Sequence, residues 1–383
     1  MQKRISDSMN NPLIIGIDIR DLSLAKTGTK TYLAELCSAF KLLENEHYHF
    51  HFLDSGSHDS TSSKGSTNKY AEHFRYHLWK QVILPYKAWR NHCDILFCTD
   101  NFVPLLHLGY QTVPVFHDAF FFENPEHYGK LWLKLYHLTA IPAAKRSAFI
   151  VTPTLYAQQQ IHRYTSIPLE KLKVIYEGPK TMEPLLENHF TERFNLKDKD
   201  YILHVGSMFK RKNIPALIRA FRLLKDKTGT KIKLVLAGPS SASKDSNDYN
   251  LILEAITSLQ LQDEVILTGY LSDNELASIY NHALLYVFPS VNEGFGIPIL
   301  EAFKYQLPVL VANNSCLPEV GGDAVLTFDP FNPEDICTKI IMVIENETLR
   351  KELIQKGKIR LKDFSWQKTA IQLLELFKTL KTA

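Results

Sequence analysis

Short, continuous runs of apolar residues alternate along this chain with longer segments in which apolar positions recur at helical spacing. The first run, Leu13–Asp18, is uninterrupted and β-branched, which is typical of a strand buried on both faces. The segment after it repeats every three or four positions, at Tyr32, Leu33, Leu36, Cys37, Phe40 and Leu43. Such alternation predicts an α/β protein with parallel sheets, in which helices follow strands.

This alternation runs through the chain twice. It stops in a polar segment over residues 179–200, which contains Pro184 and few strand-forming residues, and it restarts at Tyr201–Gly206. A length of 383 residues is too great for one ordinary hydrophobic core. We therefore predict two doubly wound, Rossmann-like domains, over residues 1–180 and 181–365, with a ligand cleft between them and a last helix over 366–383.

Composition narrows the class of protein. A hydrophobic content of 45% and a charged content of 22% are typical of a globular enzyme, and a net charge of +3 gives no reason to expect a nucleic-acid binder. The five cysteines form no Cys-x-x-Cys pair, so we expect reduced thiols in a cytoplasmic protein. No run approaches the ~20 apolar residues of a membrane span, and the N-terminal residues lack the apolar core of a signal peptide.

One stretch, Pro289–Ala302, carries most of the candidate chemistry. It follows an apolar strand and holds Gly294 and Gly296 just before a helix that Pro298 is suited to begin. The free N–H groups of a helix start can seat a diphosphate without a metal ion. Glu293, in the loop, and Glu301, expected in the first helical turn, would repel phosphates, so we expect them to face sugar and ribose hydroxyls. A plain corner with helix-capping acids is the alternative.

A second candidate is the run Lys210-Arg211-Lys212. It lies between a strand that ends at Gly206 and a helix that begins near Ile214. Three adjacent cations usually form a solvated face, but at this position they could clamp phosphates. His117 and Asp118 likewise follow a strand, at the edge where open α/β sheets bind their ligands, although a structural histidine is equally compatible with the spacing.

These motifs together resemble the family 4 retaining glycosyltransferases, also described as glycosyl transferases group 1. The resemblance rests on two glutamates with seven residues between them, on Gly206 followed by Arg211-Lys212-Asn213, and on the His117-Asp118 pair. It implies the GT-B fold, a last helix that returns onto the first domain, and sugar transfer with retention at the anomeric carbon. Many members carry arginine directly after the first glycine, where this chain has Ser207, so one phosphate contact differs.

The resemblance also implies roles for individual residues. The catalytic residues would be Glu293, His117 and Lys212. The donor would be bound by Gly28, Thr29, Gly206, Arg211, Lys212, Tyr270, Leu271, Glu293, Gly294, Phe295, Gly296 and Glu301. The acceptor would meet Asp118, Asp100 and Asn101. For Gly28 and Thr29, which are expected in a loop, a plain turn before a helix is the alternative. Neither a cofactor nor a metal ion is expected.

The expected activity is transfer of a hexose from a GDP- or UDP-linked donor to a glycan or lipid-linked acceptor, in bacterial surface polysaccharide synthesis. A nucleotide-sugar epimerase or hydrolase on the same fold, and a non-catalytic nucleotide-sugar-binding partner, are the alternatives. Aromatic and basic residues over 126–146 indicate either peripheral membrane contact or an ordinary amphipathic helix. The protein would then lie free in the cytoplasm or at the inner face of the membrane.

Overall fold

The computed structural model describes residues 11–24, 28–55, 69–125, 128–182, 193–194, 196–239 and 248–381. Residues 55–68 are rich in Ser, Gly, Asp and Lys, a composition that predicts a surface loop, and apart from Ser55 they lie outside this part of the chain. Two compact units are present. The first comprises Met1–Glu177 with Trp366–Ala383, and the second comprises Gly178–Ser365. The chain passes from the first unit to the second after Glu177, whereas the sequence pattern predicted this boundary after residue 180.

The first unit is built on parallel strands, each from a continuous apolar run. They are β1 Leu13–Asp18, β2 Tyr48–Leu53, β3 Ile95–Cys98, β4 Gln111–Pro114, β5 Ile150–Thr152 and β6 Leu172–Val174. The order is β2-β1-β3-β4 in one sheet, and β5 pairs with β6. A parallel bridge from Val115 to Val151 carries the order on from β4 to β5.

Helices cover the sheet of the first unit. Their bounds are Asp21–Leu24, Gly28–Leu43, Lys69–Leu78, Leu84–Arg90, Phe120–Glu123, Lys130–Leu135, Ile141–Arg146 and Leu155–Thr165. Two π-helical turns, Trp79–Ile83 and Tyr136–Ala140, join neighbouring helices into longer helical stretches. Pro85 does not interrupt its stretch, because it stands in the first turn of Leu84–Arg90, where a missing N–H costs little.

The last helix of the chain, Trp366–Lys381, belongs to the first unit. Its Trp366 ring packs edge-on against Tyr32, with centroids 5.3 Å apart, and its Phe377 ring packs against Phe97 at 5.5 Å. The Thr369 hydroxyl donates to the Tyr176 carbonyl at 2.7 Å. Buried aromatic contacts and a hydrogen bond therefore fix this helix on the first unit.

The second unit contains a six-stranded parallel sheet. Its strands are β7 Tyr201–Val205, β8 Lys233–Ala237, β9 Val265–Gly269, β10 Leu285–Phe288, β11 Val309–Ala312 and β12 Val325–Phe328. The order β12-β11-β10-β7-β8-β9 reverses between β7 and β10. At such a reversal the loops leave in opposite directions and open a crevice at the carboxyl ends of the strands, which is where this architecture binds ligands.

The helices of the second unit are Ile214–Thr228, Asp248–Ser258, Asp273–His282, Ile297–Lys304, Leu317–Gly321, Pro333–Glu345 and Glu347–Leu361. The helix Leu317–Gly321 and strand β12 were not expected from the sequence. The predicted α/β class with parallel sheets is confirmed. None of the helices in the described part of the chain combines the length and hydrophobicity that crossing a lipid bilayer requires.

Candidate functional site

The loops after β7 and β10 meet at the reversal of strand order in the second unit. The backbone N–H of Val291 donates to the Arg211 carbonyl at 2.8 Å, and the Ser290 hydroxyl oxygen lies 3.0 Å from the oxygen of the same carbonyl. The Asn213 side chain donates to the Pro289 carbonyl at 3.3 Å. The structure therefore joins the cationic run at 210–212 to the loop that carries Glu293.

Three donors converge on Oε1 of Glu293. Lys212 Nζ lies 2.5 Å from it, Arg211 Nη1 lies 2.8 Å from it, and the Ser290 hydroxyl donates to it at 2.5 Å. Lys212 and Glu293 are both buried. The Lys212 ammonium also lies 4.9 Å from the centre of the Phe288 ring, a favourable cation–π distance. Buried Lys212 and Glu293, with the half-buried Arg211, thus form a cluster with an excess of positive charge.

The charge states in this cluster follow from burial and from its members. Burial by itself raises the pKa of the Glu293 carboxyl, but the charges of Arg211 and Lys212 outweigh it and lower that pKa to about 2. Burial lowers the pKa of Lys212 to about 8, although Glu293 acts in the opposite direction. At neutral pH Glu293 is ionised and Lys212 is protonated, so the cluster can attract a diphosphate.

Gly206 lies beside Lys212, and Gly238 lies against the backbone of Gly206. A Cβ on Gly206 would lie 3.5 Å from Lys212 Cε, so this position leaves room for the lysine stem. A Cβ on Gly238 would lie only 1.9 Å from the Gly206 carbonyl oxygen, and the φ of Gly238 is +145°. Only glycine fits at 238 without moving the backbone that carries Gly206. The sequence pattern had not singled out Gly238.

The thiol of Cys316 contacts the glycine loop that precedes the helix Ile297–Lys304. Cys316 Sγ lies 3.1 Å from the carbonyl oxygens of both Glu293 and Phe295, so its single S–H donates to this loop. Gly296 has φ +100°, a left-handed conformation that glycine adopts easily. Pro298 follows in the first helical turn. Cys316 lies far along the chain from the loop, and the sequence analysis treated it only as a reduced thiol.

Glu301 is placed differently from expectation. It is the fifth residue of its helix, so it lies past the first turn, because the helix begins at Ile297. Its carboxylate accepts a hydrogen bond from the Tyr280 hydroxyl at 2.8 Å. Burial raises the pKa of Glu301 to about 7, although the bond from Tyr280 acts to lower it. The two glutamates therefore differ in charge state, since one is fully ionised and the other titrates near neutrality.

Tyr270 and Leu271 directly follow β9, on the carboxyl edge of the same sheet. The Tyr270 side chain is exposed and Leu271 is buried. Gly269, just before them, has φ +72°, so the chain turns there. An exposed aromatic residue after this turn can contact a planar ligand by stacking.

His117 lies in the first unit, and both of its ring nitrogens face acceptors. Nε2 is 2.9 Å from the Thr99 carbonyl oxygen, and Nδ1 is 3.5 Å from Oε1 of Glu177. Burial alone would lower the pKa of His117, but Glu177 outweighs it and the pKa is raised. The Tyr32 ring packs edge-on against the imidazole at 4.8 Å. Glu177 therefore faces the His117 imidazole, a contact that the sequence did not predict.

Asp100 is part of a buried ion-pair network. Lys80 Nζ lies 2.5 Å from Asp100 and 2.6 Å from Asp18, and it is itself buried. The Tyr76 hydroxyl donates to Asp100 at 2.6 Å, and the Trp79 indole N–H donates to Asp18 at 3.1 Å. Asp18, Tyr76 and Lys80 were not foreseen as site residues, because a lysine in an amphipathic helix usually faces solvent.

A cavity of about 460 Å³ in the first unit collects several predicted residues. Thr29, Asp100, Asn101, His117 and Asp118 line it, together with the aromatic side chains Tyr76, Phe121, Tyr128 and Trp132. Gly28 and Thr29 open the helix Gly28–Leu43, which corrects their expected place in a loop. The Asp118 carboxylate accepts from the Phe120 N–H at 3.0 Å, just before the next short helix.

Across the described ranges, no group of three or more His, Cys, Asp or Glu side chains is arranged to hold a metal ion. The five cysteines, all buried, are free thiols.

Comparison with known proteins agrees with this geometry. Residues 187–360 match the family described as "Glycosyl transferases group 1". The chain carries a glycosyltransferase group 1 domain. This glycosyltransferase is 28% identical over 305 residues to the O-antigen chain mannosyltransferase B of Escherichia coli, in a match that covers 77% of each protein. It is also 30% identical over 285 residues to the serotype-specific mannosyltransferase WbdA of E. coli. That match covers 73% of this chain and 34% of WbdA.

Among solved structures, the sucrose-phosphate synthase of Thermosynechococcus elongatus has a TM-score of 0.76 at 15% identity, over 96% of this chain and 99% of its own. The structural neighbours are GT-B glycosyltransferases, so the predicted GT-B fold with two Rossmann-like domains is confirmed. The glycosyltransferase class is confirmed as well. Membership of family 4 and retention at the anomeric carbon stay predictions.

Proposed function

We propose that this glycosyltransferase is a retaining mannosyltransferase. It would move mannose from a nucleotide-diphosphate donor to a hydroxyl of a glycan or lipid-linked saccharide, in the synthesis of a bacterial surface polysaccharide. The observation that carries the proposal is the cluster of Lys212, Arg211 and Glu293, which has excess positive charge at the carboxyl ends of β7 and β10. The mannosyltransferases among its relatives support the choice of sugar.

The cluster would act on the departing diphosphate. As the bond from the anomeric carbon to the diphosphate breaks, negative charge grows on the leaving oxygen, and Lys212 and Arg211 stabilise it. The acceptor oxygen bonds to the anomeric carbon, and its proton passes to the leaving diphosphate. Because the cations are held in place by the loop contacts at 290–293, little reorganisation is needed during the reaction.

Glu293 would change partners when the donor binds. Its Oε1 now pairs with both Lys212 and Arg211, and a diphosphate competes for the same two cations. Once the diphosphate takes those cations, the carboxylate becomes available to hydrogen-bond the sugar hydroxyls. Glu301, whose pKa is raised to about 7 by burial, would meet the ribose hydroxyls from the second helical turn.

The acceptor would use the cavity of the first unit. Its carboxylates can accept hydrogen bonds from sugar hydroxyls, and its aromatic side chains offer a face on which a sugar ring can pack. Asp100, Asn101 and Asp118 keep their proposed acceptor role, and His117 keeps the sugar-contacting role predicted from the sequence.

The test is donor turnover by the purified chain. GDP-mannose, UDP-glucose and UDP-N-acetylglucosamine are each supplied with and without lipid-linked saccharide acceptors, and release of the nucleotide is measured. We expect release from GDP-mannose that depends on the acceptor, an α-linked product by NMR, and unchanged rates in EDTA. Sugar released without acceptor would instead indicate a hydrolase, and donor binding without turnover would indicate a non-catalytic partner.

A further inference from the structure

One face of a long helical stretch in the first unit is apolar and exposed. The stretch runs through Lys69–Leu78, the π-turn Trp79–Ile83 and Leu84–Arg90. We use the term ridge for five of its side chains: Phe74, Leu78, Val82, Tyr86 and Trp89. Phe74 is 69% exposed, Val82 56%, Tyr86 51% and Trp89 56%. A cytosolic surface seldom carries so many large apolar side chains in one line, so the ridge needs an explanation.

The π-turn is what keeps the ridge in line. In a regular α-helix, positions four apart drift around the axis by about 40° at each step, so the five side chains would spiral away from one another. The π-turn at Trp79–Ile83 widens the helix in the middle of the stretch and takes up this drift. The opposite face carries Trp79, Lys80, Leu84 and Ala88, all buried.

A neighbouring loop extends the ridge. The Gln81 side chain accepts from the Leu105 N–H at 2.9 Å and donates to the Val103 carbonyl at 3.4 Å. These two bonds fix the loop beside the middle of the helical stretch. Leu106 and Leu108, which follow in that loop, are both exposed. The apolar surface therefore includes two leucines that do not belong to the helix.

The exposed charged side chains within residues 73–92 are cationic. Between residues 73 and 92, no exposed residue that the structure describes is acidic, while Arg75 and Arg90 are exposed cations. The carboxylate of Asp54 is paired with Lys87, 3.6 Å away.

We propose that the ridge docks the first unit onto an anionic lipid bilayer. Apolar and aromatic side chains flanked by arginines suit the boundary between headgroups and acyl chains, where Trp and Tyr rings are favoured. Anionic headgroups match the positive rim. The residues 56–68, which precede the stretch, contain only Gly, Ser, Thr, Asn, His, Asp and Lys, so they offer no apolar side chain to cover it.

Docking would also place the first-unit cavity near the membrane surface. His73 and Tyr76, in the same helical stretch, line that cavity. A lipid-linked acceptor could therefore reach the cavity from the bilayer. The docking itself does not depend on the proposed transfer reaction, because vesicle binding is measured without any donor or acceptor.

The experiment is co-sedimentation of the full chain with vesicles. Vesicles of phosphatidylethanolamine with phosphatidylglycerol are compared with vesicles of phosphatidylcholine alone, at low and high salt. We expect binding to the anionic vesicles that weakens with salt. The double variant Val82→Glu, Trp89→Glu should lower the partition coefficient by at least about tenfold, since each side chain loses its apolar burial. Arg75→Ala and Arg90→Ala should each lower it by about fivefold.

Two matched variants locate the surface. Ile359→Glu changes an exposed apolar residue of the second unit, and Leu138→Glu changes one on the helical stretch that follows residue 130. Both should bind vesicles like the parent chain. Equal binding to both kinds of vesicle, loss of binding in Leu138→Glu, or a parent dimer that the double variant converts to monomer would each overturn the proposal. Circular dichroism of each variant serves as the control for correct folding.

Discussion

In the described part of each unit, one lysine is buried against carboxylates, and the two arrangements differ in net charge. In the second unit, Lys212 shares the single carboxylate of Glu293 with Arg211. In the first unit, Lys80 alone lies between Asp18 and Asp100. Burial lowers the pKa of both lysines, but only in the first unit do the carboxylates outweigh it, so the pKa of Lys80 is raised and that of Lys212 falls to about 8.

The difference shows how one residue type can serve opposite ligands. A lysine with two carboxylates is locked in place, and it leaves the surrounding cavity with negative groups that suit sugar hydroxyls. The carboxyl of Asp21, which also lines that cavity, has its pKa raised to about 6 by burial and then by Asp100. Where a lysine and an arginine share one carboxylate, one positive charge is left unbalanced, and it can attract a phosphate.

The largest expected effect comes from removing the locked lysine. Lys80→Met leaves two buried carboxylates without their cation, and it should lower the free energy of unfolding by about 3–5 kcal/mol. Urea unfolding followed by circular dichroism measures this. Lys227→Met is the matched control, since it breaks an exposed pair with Glu334 and should change stability little. Equal effects of the two variants would show that Lys80 is not locked.

In the second unit, the corresponding change should act on the reaction. Lys212→Ala removes a cation that would face the departing diphosphate, and it should cost about 2–4 kcal/mol of transition-state stabilisation. The readout is kcat/KM with GDP-mannose. Lys210→Ala is the control, because Lys210 is exposed in the same turn. If both variants turn over donor at the parent rate, the cluster does not bind the diphosphate.

The position of the cationic loop should depend on one glycine. Gly238→Ala would force its Cβ to 1.9 Å from the Gly206 carbonyl oxygen, so the backbone must move. We expect a loss of about 1–3 kcal/mol in unfolding free energy, together with weaker donor binding. Gly229→Ala is the comparison, since Gly229 also has positive φ but open space around it. Donor affinity unchanged in Gly238→Ala would separate the loop from the site.

Many of the strands and candidate site residues in the two units could be predicted from local sequence. Continuous apolar runs indicated the strands, and His117, Lys212 and Glu293, in the segments that follow strands, became candidates because the carboxyl edge of a parallel sheet binds ligands. The GT-B fold and the glycosyltransferase class were predicted correctly. Patterns that repeat within a few residues carry such information, whatever the tertiary packing.

The remaining features depend on contacts between distant segments. Lys80 lies 62 positions from Asp18 and 20 from Asp100, so nothing near it in sequence indicates a buried ion pair. Cys316 is 23 positions from Glu293, yet its thiol holds the glycine loop. Errors at helix ends have a local cause. Gly28 was expected in a loop because glycine often breaks helices, but here it opens one.

The smallest expected effect is a pH dependence that the two lysines should not share. The pKa of Lys212 is about 8, so raising the pH through 8 removes its charge, and kcat/KM should fall about twofold by pH 8 and further above it. Lys80 should contribute nothing there, because its pKa is raised. The pH profile of kcat/KM with GDP-mannose measures this fall at alkaline pH, and Lys212→Arg should remove the fall while keeping the cation.

Bound diphosphate favours the charged form of Lys212, so the alkaline fall in kcat should lie at higher pH than the fall in kcat/KM. A fall that stays at pH 8 in Lys212→Arg would assign the titration to a different group and leave the contrast between the two lysines without a functional consequence.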